Sequence, residues 1–314
     1  MSDSNETQWE RKVLEKLALE ALAEQRRGRR WGIFFKLLGF GYVALILGLV
    51  VDWGQSEKLV DGSKYTAMVD MTGVIRATGD ANAENVISGL QAAFKDKHTA
   101  GVILRINSPG GSPVQSGIIN DEIGRLRAAH PTIPLHVVVE DVCASGGYYV
   151  AAAADKIFVD KASIVGSIGV LMDGFGFTGT MERLGVERRL LTAGENKGFL
   201  DPFSPQNENH KDHARQMLGE IHQQFIDVVR KGRGKRLKET PEMFSGLMWS
   251  GARSIELGLA DGYGTVDSVA RDVFKASDVR DFSVKQNFAE KFAKRFGADM
   301  AEGMANALTR LTLR

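Results

Sequence analysis

The chain has 314 residues, with 40 basic and 39 acidic side chains, so no global field gathers nucleic acid or an acidic substrate. That length is enough for one α/β domain with appendages, and the single cysteine, Cys143, excludes an intrachain disulfide framework. Thirty-five glycines, without a repeat, point to turns at which backbone comes close to a ligand.

In chain order, residues 8–25 place Leu14, Leu17, Leu19 and Leu22 among charges at near-helical spacing, which predicts an exposed amphipathic helix closed by Arg26, Arg27, Arg29 and Arg30. Residues 31–51 follow, apolar almost throughout and carrying only Lys36, whose stem can snorkel toward the cationic flank. At ~1.5 Å per residue this run crosses a hydrocarbon core of ~30 Å. The polar region before it is long, and no small-x-small pattern follows before Asp52, so a retained transmembrane helix is expected rather than a cleaved leader. The cationic flank then leaves residues 1–30 cytoplasmic and everything beyond Asp52 outside the cytoplasm. Residues 52–63 read as a polar linker.

Beyond the linker the pattern alternates. KYTAMVDMTGVI reads as a strand, ENVISGLQAAFKD as a helix, and AGVILRIN as a strand buried on both faces. GIINDEIGRLRAAH is a predicted helix, LHVVVE a strand and YYVAAAADK a small-residue helix. This order implies βαβ units, and hence an α/β fold with parallel strands and right-handed crossovers. SIVGSIGVLM and VERRLLTAG read as further strands, and residues 206–231 as one long helix with Met217, Ile221, Phe225 and Val229 on a stripe. Two short helices around a glycine-rich turn complete the domain, taken as residues 64–280, and residues 281–314 form a C-terminal tail.

Two glycine-rich turns follow predicted strands, where open α/β sheets place ligands. In Asn107-Ser108-Pro109-Gly110-Gly111-Ser112, paired glycines can present backbone N–H groups to an oxyanion, or can form an ordinary strand-to-helix turn. In Cys143-Ala144-Ser145-Gly146-Gly147, Ser145 stands at a helix start, as a nucleophile or as a plain N-cap. Cys143 has no basic neighbour to favour its thiolate, so it reads as a buried structural thiol. A third segment, 174–179, matches GxGxxG by composition only, lacking the acidic residue a dinucleotide site needs. No P-loop and no metal-ligand spacing occurs in the sequence, and no cofactor is expected.

A serine nucleophile requires a base. The six histidines, at 98, 130, 136, 210, 213 and 222, occupy helix ends, a strand start and a charged helix, though a Ser-His-Asp set assembled across the fold stays open. Lys197, in TAGENKGFLDPFSP, is the other option, with Phe199 and Leu200 able to desolvate it and Glu195 and Asp201 opposing that effect. By context alone it equally reads as an exposed loop lysine.

Five strings together, LRINSPGGS (104–112), ASGGYYVAAAADKI (144–157), IVGSIGV (164–170), KGFLDPFSP (197–205) and SGARSIELGLADGYGTVDS (250–268), resemble the signal peptide peptidase A group of serine-lysine peptidases in its short form. The resemblance covers roughly residues 64–275 and implies a ClpP/crotonase-like fold preceded by one transmembrane helix. It implies Ser145 as nucleophile, Lys197 as general base, Gly111 and Gly146 as oxyanion donors and Ser167 as the group that orients the lysine. It further implies a bacterial inner-membrane endopeptidase, with its catalytic domain outside the cytoplasm, acting on signal peptides or other extended apolar peptides and assembling into a homo-oligomeric ring. Rival expectations are a related peptidase for misfolded membrane or periplasmic proteins, a crotonase-like acyl-thioester enzyme, and a silent peptide-binding scaffold. Residues 173–179 and the tail after 280 depart from the family pattern.

Overall fold

A computed structural model describes residues 27, 29–43 and 63–284, and the chain divides into two compact units, Met1–Asp61 and Gly62–Arg314. In the first unit residues 29–43 form helix α1, whose Trp31 stacks on Phe35 and meets Phe34 edge-on while all three rings stay exposed. Among the described residues no helix is long and apolar enough to cross a membrane; positions 44–51 of the expected span lie outside them, as do most of the amphipathic segment and linker and residues 285–314 of the tail.

The second unit is built on an eight-stranded sheet. Strands β1 (Tyr65–Thr72), β2 (Thr99–Ser108) and β3 (Leu135–Ala144) alternate with α2 (Ala83–Lys95) and α3 (Pro113–Ala129). Both helices are capped by the side chain before them: Asn82 accepts from Asn85 N–H, and Ser112 accepts from Gln115 N–H with Pro113 at the first helical position, so α3 begins four residues before the expected Gly117. The sheet then continues with β4 (Lys156–Val159), β5 (Ile164–Gly166), β6 (Met248–Ser250), β7 (Gly262–Tyr263) and β8 (Val279–Asp281), in the order β6-β5-β3-β2-β1-β8 with β4 and β7 off this path. Every pairing is parallel except β5 with β6. One face packs on α2, α3, α4 (Gly146–Ala151) and α6 (Glu208–Arg233), with Leu104, Ile106, Val137 and Val139 fully or almost fully buried. On the other, Ile103 and Val138 meet Val269, Ala270 and Phe274 of the segment after α8 (Val266–Ser268). Covered faces explain the unbroken apolar runs of β2 and β3.

Strand β3 changes neighbour along its length. His136–Val138 pair with β4, whereas Val142–Ala144 pair with β5, and the β2 register shifts between Ile106 and Ser108 so that Ser108 faces Cys143. A shifted register re-aims the strand ends. The carboxyl end of β3, carrying Ser145, thus lies between the ends of β2 and β5, the position at which open α/β sheets bind ligands.

Several expected elements come out differently. The strand expected over 186–194 is irregular and exposed along its length, because VERRLL, with three consecutive polar residues, presents no period-2 apolar face for a sheet to bury. The strand expected from 163 to 172 is confined to Ile164–Gly166, since Gly166 (φ 110°) and Ser167 (φ 52°) leave extended backbone. The helix read through Lys156 ends at Ala151, and KIFV is strand β4. Strands β6, β7 and β8 are only two or three residues long and were not expected, and β8 spans the boundary placed at residue 280. A six-residue helix, α5 (Thr178–Arg183), occupies part of the segment that departs from the family pattern, and α7 (Gly251–Glu256) with α8 are the two short helices around the glycine-rich turn.

The long helix α6 is tied down along its carboxyl-terminal half. Phe225 meets Tyr149 of α4 at 5.1 Å between ring centroids, and Arg233, with no exposed side-chain area, donates to Gly258 O and to Asp261 Oδ2, each at 2.8 Å. Asp261 Oδ2 also accepts from Ile157 N–H of β4 at 2.7 Å. Burial alone would raise the Asp261 pKa, but Arg233, that N–H and Arg236 together hold it below the usual carboxylate value. Asp261→Ala leaves a buried guanidinium without its partner, and should cost about 3–5 kcal/mol of unfolding free energy by denaturant titration at pH 7. Because the native carboxylate pKa is depressed, the pair's contribution is present above the unfolded carboxylate pKa and fades as pH falls through the native one. A loss below about 1 kcal/mol would mean that the guanidinium finds water once the carboxylate is gone.

Candidate active site

Ser145 follows β3 directly and has φ 51° and ψ −123°. A residue with a Cβ pays roughly 1–3 kcal/mol for such backbone, which persists only where its surroundings fix it. Here the neighbouring strand does so: Ser145 N–H donates to Gly166 O at 2.8 Å. Ser145 is half-buried and occupies the N-cap position of α4, yet its hydroxyl makes no capping bond. The plain N-cap reading therefore lacks the bond that defines it. A strained strand-to-helix turn with an unengaged hydroxyl is the geometry of a nucleophile elbow. Cys143, two residues earlier, is fully buried and faces Ser108; burial pushes its thiol pKa far up, as expected of a structural thiol.

The two glycine-rich turns meet at this point. A Cβ on Gly110 would lie 2.6 Å from Gly146 N and 2.7 Å from Ser145 Cβ, and one on Gly146 would lie 2.5 Å from Ser116 Oγ and 3.3 Å from Gly111 N. Gly111, at φ 147°, leaves no room either, because a Cβ would overlap the Ile75 carbonyl oxygen. Backbone donors can then be counted. Ile75 N–H donates to Gly110 O at 2.8 Å, and Ser112 N–H to Ile75 O at 2.8 Å. Across a trans peptide C=O and N–H point opposite ways, so anchoring Gly110 O on Ile75 aims Gly111 N–H away from it. Likewise Tyr149 N–H holds Ser145 O at 3.0 Å, which aims Gly146 N–H out of the helix start. Among the described residues neither Gly111 N–H nor Gly146 N–H has an acceptor. Two uncommitted donors beside a serine hydroxyl can stabilise a negatively charged oxygen on an attacked carbonyl.

Ser167 continues β5 as Ser145 continues β3. Ala144 pairs with Gly166, so the two serines are the next residues on adjacent strands, both at positive φ. Ser167 N–H is held by Leu247 O at 2.8 Å.

Lys197 stands apart from this cluster. It is exposed, in a turn closed by its own N–H to Gly194 O at 3.1 Å. Asn196 meets His210 at 3.1 Å, and the Phe199 ring packs on His210 and His213 at 5.3 and 5.7 Å, so the turn is clamped on the start of α6. Asp201 is occupied elsewhere, accepting from Ser204 at 2.7 Å and pairing with Arg188 at 3.0 Å; Ser204 first, then Phe203 N–H and Arg188, hold its carboxyl below the usual range. A cavity of about 770 Å³ opens between residues 172–178, 190–207 and the first turns of α6, and Ser145 is not part of its lining. Among the described residues Lys197 shares no hydrogen bond or ion pair with Ser145 or Ser167, and no histidine bonds to Ser145 either; His222 instead meets Ile168 O at 3.2 Å. Single-chain geometry thus gathers Ser145, Gly146, Gly111 and Ser167, and leaves Lys197 on the arm of residues 168–207 that leads from β5 to α6.

Sequence reasoning passed over Ser108, Ile75 and Ser116, which shape these turns from behind. Ser108 read only as part of the glycine-rich turn and Ile75 as part of a strand, and no role was assigned to either. The GxGxxG segment is exposed, and Cβ atoms on Gly174, Gly176 or Gly179 would meet no protein atom, so packing within the chain does not require glycine there.

Comparison with known proteins places the chain among peptidases. A family profile described as "Peptidase family S49" matches residues 127–280, a span that includes Ser145, Ser167 and Lys197 but begins after Gly111. A Haemophilus influenzae protein named probable protease SohB is 30% identical over 257 residues, covering 82% of this chain and 70% of that protein. An Enterococcus faecium protein provisionally named signal peptide peptidase SppA is 29% identical over 73% of this chain and 69% of its own length. A Brucella melitensis protein named Na(+)/H(+) antiporter NhaA is 47% identical over 185 residues, 59% of this chain. The match takes in 25% of the Brucella protein, so the chain spans about a quarter of the length of that relative.

Proposed function

We propose, on the premise that the chain belongs to peptidase family S49 and is of the serine peptidase class, that it is a membrane-anchored endopeptidase that cleaves signal peptides with a Ser145–Lys197 dyad. The observation that carries the reading is Ser145 itself, strained at φ 51°, hydroxyl unengaged, and flanked by the two uncommitted N–H groups of Gly111 and Gly146. In the proposed reaction Ser145 Oγ attacks the scissile carbonyl carbon and its proton passes to the Lys197 amine. The carbonyl oxygen becomes an oxyanion between the two N–H groups. Collapse breaks the C–N bond, and the lysine returns the proton to the leaving amine. Water then hydrolyses the acyl-serine ester by the same route, with Ser167 orienting the amine.

A lysine amine acts as a base only where its surroundings disfavour the ammonium. In the proposal a second copy of the chain supplies those surroundings as the ring assembles. This is supported by the apolar side chains the arm leaves in solvent, among them Leu171 (82% exposed), Phe175 (75%) and Leu191 (95%). The strand ends around Ser145 suit an extended substrate, and the ClpP/crotonase-like architecture is consistent with the mostly parallel sheet. The inner-membrane anchor rests on the apolar run 31–51 and its arginine flank, and tethering would raise the effective concentration of bilayer-embedded peptides.

Full-length protein in lipid vesicles should cleave an apolar signal peptide, and both Lys197→Ala and Lys197→Arg should lower kcat by about 10²–10⁴-fold, since a guanidinium never gives up its proton. Cleavage of a denatured soluble protein with the signal peptide left intact would transfer the substrate to misfolded proteins. Full activity of Lys197→Arg would remove the lysine from the reaction.

A further inference from the structure

The turn Asn107–Ser112 can be accounted for donor by donor. Asn107 and Ser108 belong to β2, Pro109 has no N–H, and Ser112 N–H is held by Ile75 O. Gly110 N–H turns back to the side chain of its own loop, donating to Ser108 Oγ at 3.1 Å. The Ser108 hydroxyl donates onward to Gly73 O at 2.6 Å, and Gly73 N–H closes the circuit on Asn107 O at 2.9 Å. Ser108 is fully buried, and its carbonyl lies 3.0 Å from where a Cβ on Gly147 would stand, so it also backs the turn that carries Ser145. Both peptide planes of Gly110 are thereby fixed, the first through its N–H on Ser108 and the second through its C=O on Ile75. Gly111 N–H is left as the uncommitted donor, with one direction available to it.

We propose that Ser108 is a positioning residue for the oxyanion hole, holding Gly111 N–H in its donating direction through Gly110; this rests on the reading of Gly111 as an oxyanion donor. Without the hydroxyl, the buried Gly110 N–H and the half-buried Gly73 C=O both lose their partner, which the fold resists by finding new ones. Glycine at φ 98° offers little steric resistance to rotation of the plane before it, and the next plane carries Gly111 N–H. The loss falls on the transition state, where the oxyanion exists, and not on ground-state peptide binding.

The test is Ser108→Ala in the full-length protein in detergent, beside wild type and Ser145→Ala, with peptide hydrolysis and the phosphonylation rate by a fluorophosphonate measured together. The phosphonyl oxygen occupies the same pair of donors. Ser108→Ala should still melt cooperatively, keep KM within about twofold, and lose about 10- to 100-fold in both kcat and the phosphonylation rate. Ser108→Cys, whose thiol bonds weakly at nearly the same size, should fall between, and it decides the matter if the alanine variant does not fold. A purely structural serine would lower the melting temperature and leave both rates alone. Rates of Ser108→Ala, or of Ser108→Cys in its place, within about twofold of wild type, with Ser145→Ala inactive, would overturn the proposal. Activity retained by Ser145→Ala would instead overturn the reading on which it rests.

Discussion

Ser145→Ala should abolish peptide hydrolysis, lowering kcat by about 10⁴-fold or more, because the covalent step disappears while the donors and the substrate groove remain. The variant should not be less stable than wild type. Ser145 holds no helix cap that alanine would forfeit, and its fixed bond, N–H to Gly166 O, belongs to the backbone. The strain at φ 51° stays with either side chain. Activity and stability are thus expected to separate at this position, whereas a capping serine would lose about 1 kcal/mol and no catalysis. Hydrolysis rates and denaturant unfolding of the same preparation distinguish the two.

Gly111→Ala is the second large effect and acts through different physics. Its Cβ would overlap Ile75 O, and its φ of 147° is one that L-residues rarely adopt. Relief requires the turn to move off Ile75, which breaks both of its bonds to that residue, including the one from Ile75 N–H to Gly110 O that aims the Gly111 N–H. A donor lost from an oxyanion hole costs about 10²–10³-fold in kcat, and this substitution should cost at least that with KM little changed. The expected signature is a folded protein that binds peptide and scarcely turns it over. Wild-type kcat in Gly111→Ala would show that Gly111 is not a donor.

Much of the scaffold was legible because its signals are local and redundant. β1, β2 and β3 are eight to ten residues long around apolar stretches such as GVIL and VVV, and α6 carries its apolar stripe at the expected place. The edge strands β6, β7 and β8 were not, because two or three residues carry no period and are strands only by virtue of a neighbour. The arm from 168 to 207 misled for a related reason: VERRLLTAG has a strand's length but no period-2 apolar face, and it pairs with no strand of the sheet.

The site divides along the same line. That Ser145 and the paired glycines meet at one turn could be found from the sequence, because two turns packed this closely require a backbone approach that only glycine allows. Ser108 could not, since a buried serine at a strand end looks like any other until its two bonds are seen. Lys197 was singled out by resemblance and by the poor placement of the histidines, and one chain alone leaves it exposed on the arm. In the proposed function its role depends on what covers that arm, which the local sequence does not carry.

The most direct measurement of the central claim is covalent capture. Full-length protein treated with a fluorophosphonate, digested and mapped by mass spectrometry, should carry one phosphonyl adduct, on Ser145, and Ser145→Ala should carry none. An adduct on another residue, or an unmodified protein that still hydrolyses peptide, would contradict the account.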